Sequence, residues 1–170
     1  MIDHAELVAL LLASTAKWQE LTGTATYLLA LAYIHQFQED EDADAPVRPR
    51  AIVQQTERSR RIVGTGTWAG EGACLLSLEL EYTEPTPLAP ATTGGQQTWF
   101  MLQVNTLEEQ MRAISASRVN APGKTHSHLQ IRDIAWSVEP FLIPIADRED
   151  EGDDATSRKP CWAVQFRITY

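Results

Sequence analysis

The stretch of sequence that decides the fold lies at residues 162–170, which read WAVQFRITY. Every second residue from Trp162 to Tyr170 is bulky and apolar, whereas the residues between them are small or polar. Because successive side chains in a β-strand point to opposite faces, this alternation predicts a strand with one buried face. The same alternation runs from Cys74 to Tyr82 and predicts a second strand.

Other stretches give weaker strand patterns. The range 50–55 predicts a short strand, and the polar, basic range 56–66 leads into a hairpin turn predicted around 68–72. Range 129–138 predicts another strand, which ends before two prolines. Over 27–37, large residues alternate with small ones, which favours a long strand, although the leucines and alanines also permit a helix.

Two stretches have the period of an amphipathic helix. Apolar residues recur at steps of three and four over 3–22, and Gly23 is a suitable helix stop. A second stripe runs over 97–117 and predicts one helix. An alternative divides it into a strand over 99–104 and a helix capped by Asn105, but the stripe crosses that residue without a break.

The order of these elements is helix, strands, helix, strands. It predicts an α+β fold with a largely antiparallel sheet and both helices packed on one face. A chain of 170 residues corresponds to about one domain, here 1–170, and can bury about 70% of its surface without disulfide or metal staples. Loops are predicted at 39–49, 84–96 and 146–160, where acidic residues, proline and glycine cluster.

Composition also limits the class of protein. No apolar run reaches about 18 residues, so no membrane span is predicted. An acidic residue lies where a secretory signal peptide needs positive charge, which argues against such a peptide. The two cysteines, Cys74 and Cys161, fit thiols in a protein made in the cytoplasm better than a disulfide framework.

The net charge of −9 is unevenly distributed. The runs 39–44 and 147–154 carry −5 each, which leaves about +1 for the rest of the chain. Runs of like charge repel themselves and are predicted to be exposed loops. Residues 48–61 have a net charge of +4, but without interleaved aromatic residues this is only a weak signal of nucleic-acid binding.

The search for catalytic groups finds little. His126 and His128 have a spacing that metals use, but a third ligand is missing nearby, which favours a surface turn. Glu79 and Glu81 could form an acid pair, yet the alternation predicts that they face solvent. Gly64-Thr65-Gly66 is not followed by the residues of a phosphate loop. We therefore predict no catalytic residue, no metal and no cofactor, and regard an enzyme as the minority interpretation.

Taken as a whole, the chain resembles the tail terminator, or tail completion, proteins of tailed phages and prophages, a family with the fold of the lambda minor tail protein U. The resemblance covers nearly the full length and lies in the order of features. Those features are the helix ending at 21–23, RPRAIV at 48–53, GTGTW at 64–68, the apolar strand at 74–82, the helix through 99–114, the strand near Trp136 and the strand at 162–170.

The resemblance implies a structural virion protein without enzymatic activity. In this family six copies form a ring on the last ring of tail-tube subunits, at the upper end of the tail near the neck. The ring stops tube growth and binds the head connector, and DNA passes through its centre without specific binding. The family has no catalytic motif to transfer. Three alternatives stay open: another neck or head–tail joining protein, a small metal-dependent enzyme using His126 and His128, and a host-side binding module.

If the chain forms such a ring, its charged runs are candidates for an interface or for the channel surface. An acidic run could repel DNA phosphates or meet arginines of a neighbouring subunit; a solubilising loop is the competing interpretation. The candidate residues are Glu39, Asp40, Glu41, Asp42, Asp44, Arg58, Arg60, Arg61, Asp147, Glu149, Asp150, Glu151, Asp153 and Asp154.

Overall fold

The structure is a computed structural model, and it describes residues 4–36, 48–64, 67–83, 92–116, 131–144 and 159–170. Within these ranges, the elements are helices α1 (His4–Ala13), α2 (Ala16–Thr22), α3 (Tyr27–Ala30) and α4 (Thr93–Ala116), a 3-10 turn over Leu31–Tyr33, and strands β1 (Ile34–His35), β2 (Arg50–Gly64), β3 (Thr67–Glu81), β4 (Asp133–Leu142) and β5 (Cys161–Thr169).

The five strands form one sheet in the order β1-β2-β3-β5-β4. The short β1 runs parallel to β2, and the other neighbouring strands are antiparallel. This arrangement confirms the predicted α+β class with a largely antiparallel sheet. The two most regular predicted strands, β3 and β5, lie next to each other at the centre of that sheet.

One face of the sheet forms the core with the helices. Leu76 and Leu78 of β3 and Phe166 of β5 are almost completely buried, and they belong to one apolar cluster with Leu12 of α1 and Phe100 of α4. The phenyl ring of Phe100 stacks on the indole of Trp162, with ring centroids 6.1 Å apart. Both predicted helical regions therefore pack on the same face, as the sequence predicts.

The predicted helix over 3–22 is in fact two helices. Thr15 has an extended backbone and caps α2: its hydroxyl accepts a hydrogen bond from the Trp18 N–H at 3.2 Å and donates one to the Leu12 carbonyl at 2.7 Å. A threonine that binds both neighbouring turns through its side chain favours a helix boundary. Gly23 ends α2 in the left-handed conformation, as predicted.

The predicted long strand over 27–37 is wrong. Thr26 caps α3 by accepting a hydrogen bond from the Leu29 N–H at 3.4 Å, and of the described residues in this range only those of β1 form a strand. The carbonyl of the buried Ala30 accepts a hydrogen bond from the indole N–H of Trp18 at 3.2 Å. The small residues of the alternating pattern thus allow close helix packing and do not mark one face of a strand.

The β2–β3 hairpin is longer than predicted. Pairing extends as far as Gly64 opposite Thr67, so the connection falls at 65–66 and not at 68–72. The range 56–66, which lacks an apolar alternation, is therefore mostly strand. Backbone hydrogen bonds can hold a two-stranded ribbon together whatever its side-chain pattern, which is why that pattern is a poor guide there.

Strand β4 is displaced along the chain from its predicted range of 129–138, and it contains Pro140. Proline has no N–H to donate, so it is tolerated in a sheet mainly on an edge strand. β4 is such an edge strand. Residues 129–130 lie outside the described ranges.

Helix α4 confirms the prediction of one continuous helix over this part of the chain, and the alternative with a strand over 99–104 is wrong. The helix begins at Thr93, inside the predicted loop 84–96, where the Thr92 hydroxyl accepts a hydrogen bond from the Gly95 N–H at 3.2 Å. In the part of the chain that is described, no helix combines the length and apolar character that crossing a membrane requires.

Candidate functional site

Two of the three charged groups predicted as an interface lie outside the described residues. The acidic runs 39–44 and 147–154 lie outside the described ranges, as do His126 and His128. Of the predicted loops 39–49 and 146–160, only residues 48–49 and 159–160 are described, and neither pair belongs to a helix or strand.

The third group, the arginines, lies on β2. Their backbone positions are given by the register with β3, in which Arg58 is opposite Gly72 and Arg60 is opposite Gly70. Arg61 follows directly, within the same strand. The arginines are therefore on a regular, hydrogen-bonded ribbon.

That ribbon extends beyond the central part of the sheet. We call it the arm and define it as residues 57–64 of β2 and 67–71 of β3. Strand β5 accompanies β3 only as far as Ala73, and the Tyr170 backbone then exchanges two hydrogen bonds with Gly72. Among the described strands, those of the arm pair only with each other. Eight strand residues span about 26 Å, so the arm is long enough to reach a second molecule.

A β-bulge marks the base of the arm. Gln55 is opposite Cys74 and Glu57 is opposite Ala73, which leaves Thr56 as the extra residue of β2. The Thr56 hydroxyl donates a hydrogen bond to the Ala73 carbonyl at 3.1 Å. Bulges bend a strand and increase its twist, so this one changes the direction of the ribbon where it leaves the helix-covered sheet.

The outer edge of β2 is mostly open. β1 covers it at Ala51 and Ile52 only, and no other described strand pairs with that edge. By sequence, the part of β2 beyond β1, residues 53–64, carries three arginines and one glutamate, a net charge of +2. The structure therefore combines an unpaired strand edge with positive charge.

The opposite edge of the sheet is β4, and its character is different. This strand has two acidic residues and no basic one, a net charge of −2. Trp136, Val138, Phe141 and Leu142 are large apolar residues, yet each is 42–44% exposed. Open strand edges pair readily with other chains, and grouped exposed apolar side chains mark interaction surfaces. β4 has both properties in the described part of the molecule.

The register of β4 shows which way these side chains point. Trp136 is opposite Phe166 and points to the helix-covered face, whereas Val138 is opposite Gln165 after a register shift. Phe141 is opposite Ala163 after a second shift. Val138 and Phe141 therefore lie on the face of the sheet away from the helices.

An ion cluster holds the start of β2 on that same face. The Glu79 carboxylate accepts hydrogen bonds from Arg50 Nε at 2.7 Å and Nη2 at 2.9 Å, and from Arg48 Nε at 3.0 Å. The side chain of Glu79 is 15% exposed and that of Arg48 only 4%. Glu79 therefore lies on the face of the sheet away from the helices, as the alternation predicts, but two guanidinium groups cover its carboxylate and leave it only partly exposed. The forked contact of Arg50 and the hydrogen bond of Arg48 anchor the chain where β2 begins.

The remaining reactive groups show no catalytic arrangement in the ranges that the structure describes. Cys74 and Cys161 are fully buried and form no disulfide, as predicted for two thiols. The Cys74 sulfur contacts the Tyr170 hydroxyl at 3.9 Å. The described residues also contain no cluster of three or more His, Cys, Asp or Glu side chains able to bind a metal ion.

No protein-family model matches this chain, and no curated protein is similar enough to count as a relative. The geometry of the two sheet edges is therefore the main structural guide to function.

The sequence analysis did not predict two features of the sheet: the exposed edge strand β4 and the ion cluster around Glu79. The exposed edge position of β4 had one signal in the sequence. The strand is apolar and has no basic residue, yet it contains a proline, and a proline within a strand indicates a sheet edge. The cluster around Glu79 had another: Arg48 and Arg50 are two residues apart, so both can point to the same face of a neighbouring strand.

Proposed function

We propose that this protein is a structural component of a tailed phage or prophage, and that copies of it form a ring at the upper end of the tail tube. The observation that carries the proposal is the exposed apolar strand β4, at the open edge of the sheet. A strand of this kind exposes unpaired backbone groups and apolar area to water, and pairing with another chain removes both costs.

The fold and the resemblance together support the role of that ring. A helix-covered sheet with unpaired edges suits a building block that associates side by side. The tail terminator family, which the chain resembles, uses such rings to stop growth of the tail tube and to bind the head connector. We propose the same partners here, with DNA passing through the centre and the protein being made in the host cytoplasm. The proposed role requires no cofactor.

The acidic runs 39–44 and 147–154 have a proposed role in the same ring. At the channel surface, their charge would repel DNA phosphates and let the DNA pass freely. At a subunit contact, they would meet arginines, and opposite charges there set register and accelerate assembly more than they add affinity. Exposed charges are screened beyond about 8–10 Å at physiological salt, so the second role predicts salt-sensitive assembly.

The proposed function is tested by deleting the gene from its phage and examining the particles by electron microscopy. We expect tails of irregular, excessive length that carry no heads, and rescue of both defects when the gene is supplied from a plasmid during infection. Normal tails joined to heads would contradict the proposal. Tails of normal length without heads would instead indicate a neck or joining protein.

A second experiment concerns the acidic runs. Glu39, Asp40, Glu41, Asp42 and Asp44 are replaced by serine and asparagine in one variant, and the acidic residues of 147–154 in another. Ring formation, tube binding and DNA retention are measured at low and high salt. If the runs act as proposed, at least one variant loses one of these properties. Two variants that behave like the parent in all assays would show that the runs only aid solubility.

A further inference from the structure

We propose that neighbouring copies of this protein contact each other through two different surfaces, β4 of one copy and the open edge of β2 of the next. The inference rests on the proposed function, because it assigns the surfaces that close the ring. It also goes further, because a ring requires two unlike surfaces but does not say which surfaces of the chain they are.

Charge favours this combination of edges. By sequence, β4 has a net charge of −2, and the open part of β2, from Val53 to Gly64, has one of +2. A contact between two copies of β4 would join two strands of net negative charge, and a contact between two copies of the open part of β2 would join two strands of net positive charge. Like charges across an interface are strongly disfavoured, whereas opposite charges guide the correct pairing. Only the mixed contact joins opposite charges.

The available strand lengths also match. β2 is open from Val53 to Gly64, and β4 offers ten residues. Pro140 has no N–H and the register of β4 shifts twice, after Trp136 and after Val138, so a continuous ladder fits best along 133–137. Beyond that segment the contact would consist of side chains, namely the charged Glu139 and apolar residues such as Phe141, which is 44% exposed in the single chain.

Symmetry supports the same conclusion. A contact between identical surfaces joins two subunits and then stops, because both surfaces are used. A contact between different surfaces leaves one free edge at each end of the assembly, so addition continues until a ring closes. A ring that surrounds DNA therefore needs the second kind of contact, which the two unlike edges provide.

The first experiment is disulfide trapping between positions on the two edges, of which Ser137 and Gln54 are exposed. Ser137→Cys is placed on β4 and Gln54→Cys on β2, with Ser59→Cys as a second β2 position to allow for the register. The native cysteines Cys74 and Cys161 are fully buried, so they do not compete for oxidation. Each of the three single variants is first oxidised alone. The Ser137→Cys variant is then mixed in equal amounts with each β2 variant and oxidised. Finally, the double variants that combine Ser137→Cys with either β2 change are oxidised.

The expected result is cross-linked dimers in at least one of the two mixtures and a ladder of cross-linked oligomers in the corresponding double variant. None of the single variants should link to itself. Cross-linking of the Ser137→Cys variant alone would overturn the inference, because it would show that two copies of β4 meet. Rings without a cross-link at either β2 position would also overturn it and leave the proposed function intact. A parent chain that forms no ring alone or on tail tubes would overturn both.

A charge exchange tests the same contact without cysteines. Glu139→Lys should raise the concentration needed for assembly about fivefold, the magnitude expected for one exposed ion pair. The same change at Glu109, an exposed residue of α4, is the matched control and should have no such effect. Reversal of Arg58, Arg60 or Arg61 to glutamate in the Glu139→Lys background should restore assembly in at least one case. Equal effects at both glutamates, or loss without any rescue, would overturn the proposal.

Discussion

β5 and β4 are neighbouring strands that differ in how far their apolar side chains are buried. Trp162, Val164, Phe166 and Ile168 of β5 are at most 4% exposed, whereas the large apolar residues of β4 other than Ile134 are exposed by more than 40%. Both strands are rich in apolar residues, so composition does not explain the difference. The difference teaches that the same kind of strand can stabilise the fold in one position and remain available for association in the next.

The cause is the position of the helix layer and of the neighbouring strands, together with side-chain direction, since Val138 and Phe141 lie on the face away from the helices. β5 has a strand on either side, and α4 crosses its start, where Gln96 accepts a hydrogen bond from the Trp162 indole N–H at 3.3 Å. For β4, the described contacts with α4 lie at its beginning, where Arg112 donates to the Ile134 carbonyl at 3.1 Å and lies 3.7 Å from Asp133. Further along β4, burial decreases.

The largest expected effect is that of Phe166→Ala. Removing a buried aromatic ring from a packed core lowers the free energy of unfolding by about 3–5 kcal/mol. For a chain of this length, that should lower the melting temperature by more than about 6 °C. Phe141→Ala on β4 is the matched control, and we expect it to cost less than about 1 kcal/mol because the ring is already half exposed. Similar shifts in thermal unfolding for the two variants would refute the distinction between the strands.

A second effect concerns the ion cluster, which lies on the face of the sheet away from the helices. Glu79→Gln removes the carboxylate that Arg48 and Arg50 share, and breaking such a nearly buried pair costs about 3 kcal/mol. Glu20→Gln is the control, since Glu20 is 70% exposed in its pair with Lys17 and should contribute less than about 1 kcal/mol. Denaturant unfolding measures both values. Equal values would mean that the cluster is no more stabilising than a surface pair.

A third effect separates stability from association. Val138→Lys should change the free energy of unfolding by less than about 0.5 kcal/mol, because the side chain is exposed. The same variant should weaken ring formation, since it places charge within the proposed apolar contact. Leu102→Lys, on the exposed side of α4, is the matched control, because it also replaces an exposed apolar side chain by lysine. It should weaken neither the stability of the fold nor ring formation. Size-exclusion chromatography with light scattering reports both outcomes. Unchanged assembly of the Val138→Lys variant would show that β4 is not a contact surface.

The smallest expected effect is that of metal removal. Treatment with EDTA should leave the melting temperature unchanged within about 1 °C, because burial of β3 and β5 against the helices supplies the stability of the described core. Elemental analysis of the purified protein checks the same point. Stoichiometric zinc, manganese or iron, or unfolding in EDTA, would revive the alternative that uses His126 and His128.

Much of the fold could be predicted where a local pattern and the tertiary environment agree. β3, β5 and α4 each have one strongly apolar face, and each lies where that face is buried. Predictions failed where the pattern was ambiguous. The alternation over 27–37 fits both a strand and a pair of short helical turns, and the choice depended on the Thr26 cap and on the indole of Trp18.

For the candidate site, the sequence identified the residue types but not their arrangement. It predicted an interface role for Arg58, Arg60 and Arg61, which the structure locates on a ribbon beyond the central sheet. It did not predict the exposed β4 surface, because alternation shows which side chains share a face but not whether anything covers that face.

The sequence by itself determined the α+β class, the two central strands and the long helix, because the periods of strands and helices are written directly in the spacing of apolar residues. Only the tertiary structure decided the break between α1 and α2, the length of the arm, the pairing of Glu79 with two arginines and the edge position of β4. These features depend on which segments become neighbours. Contacts between residues far apart in the chain follow from the packing of the whole core, and no local pattern encodes them.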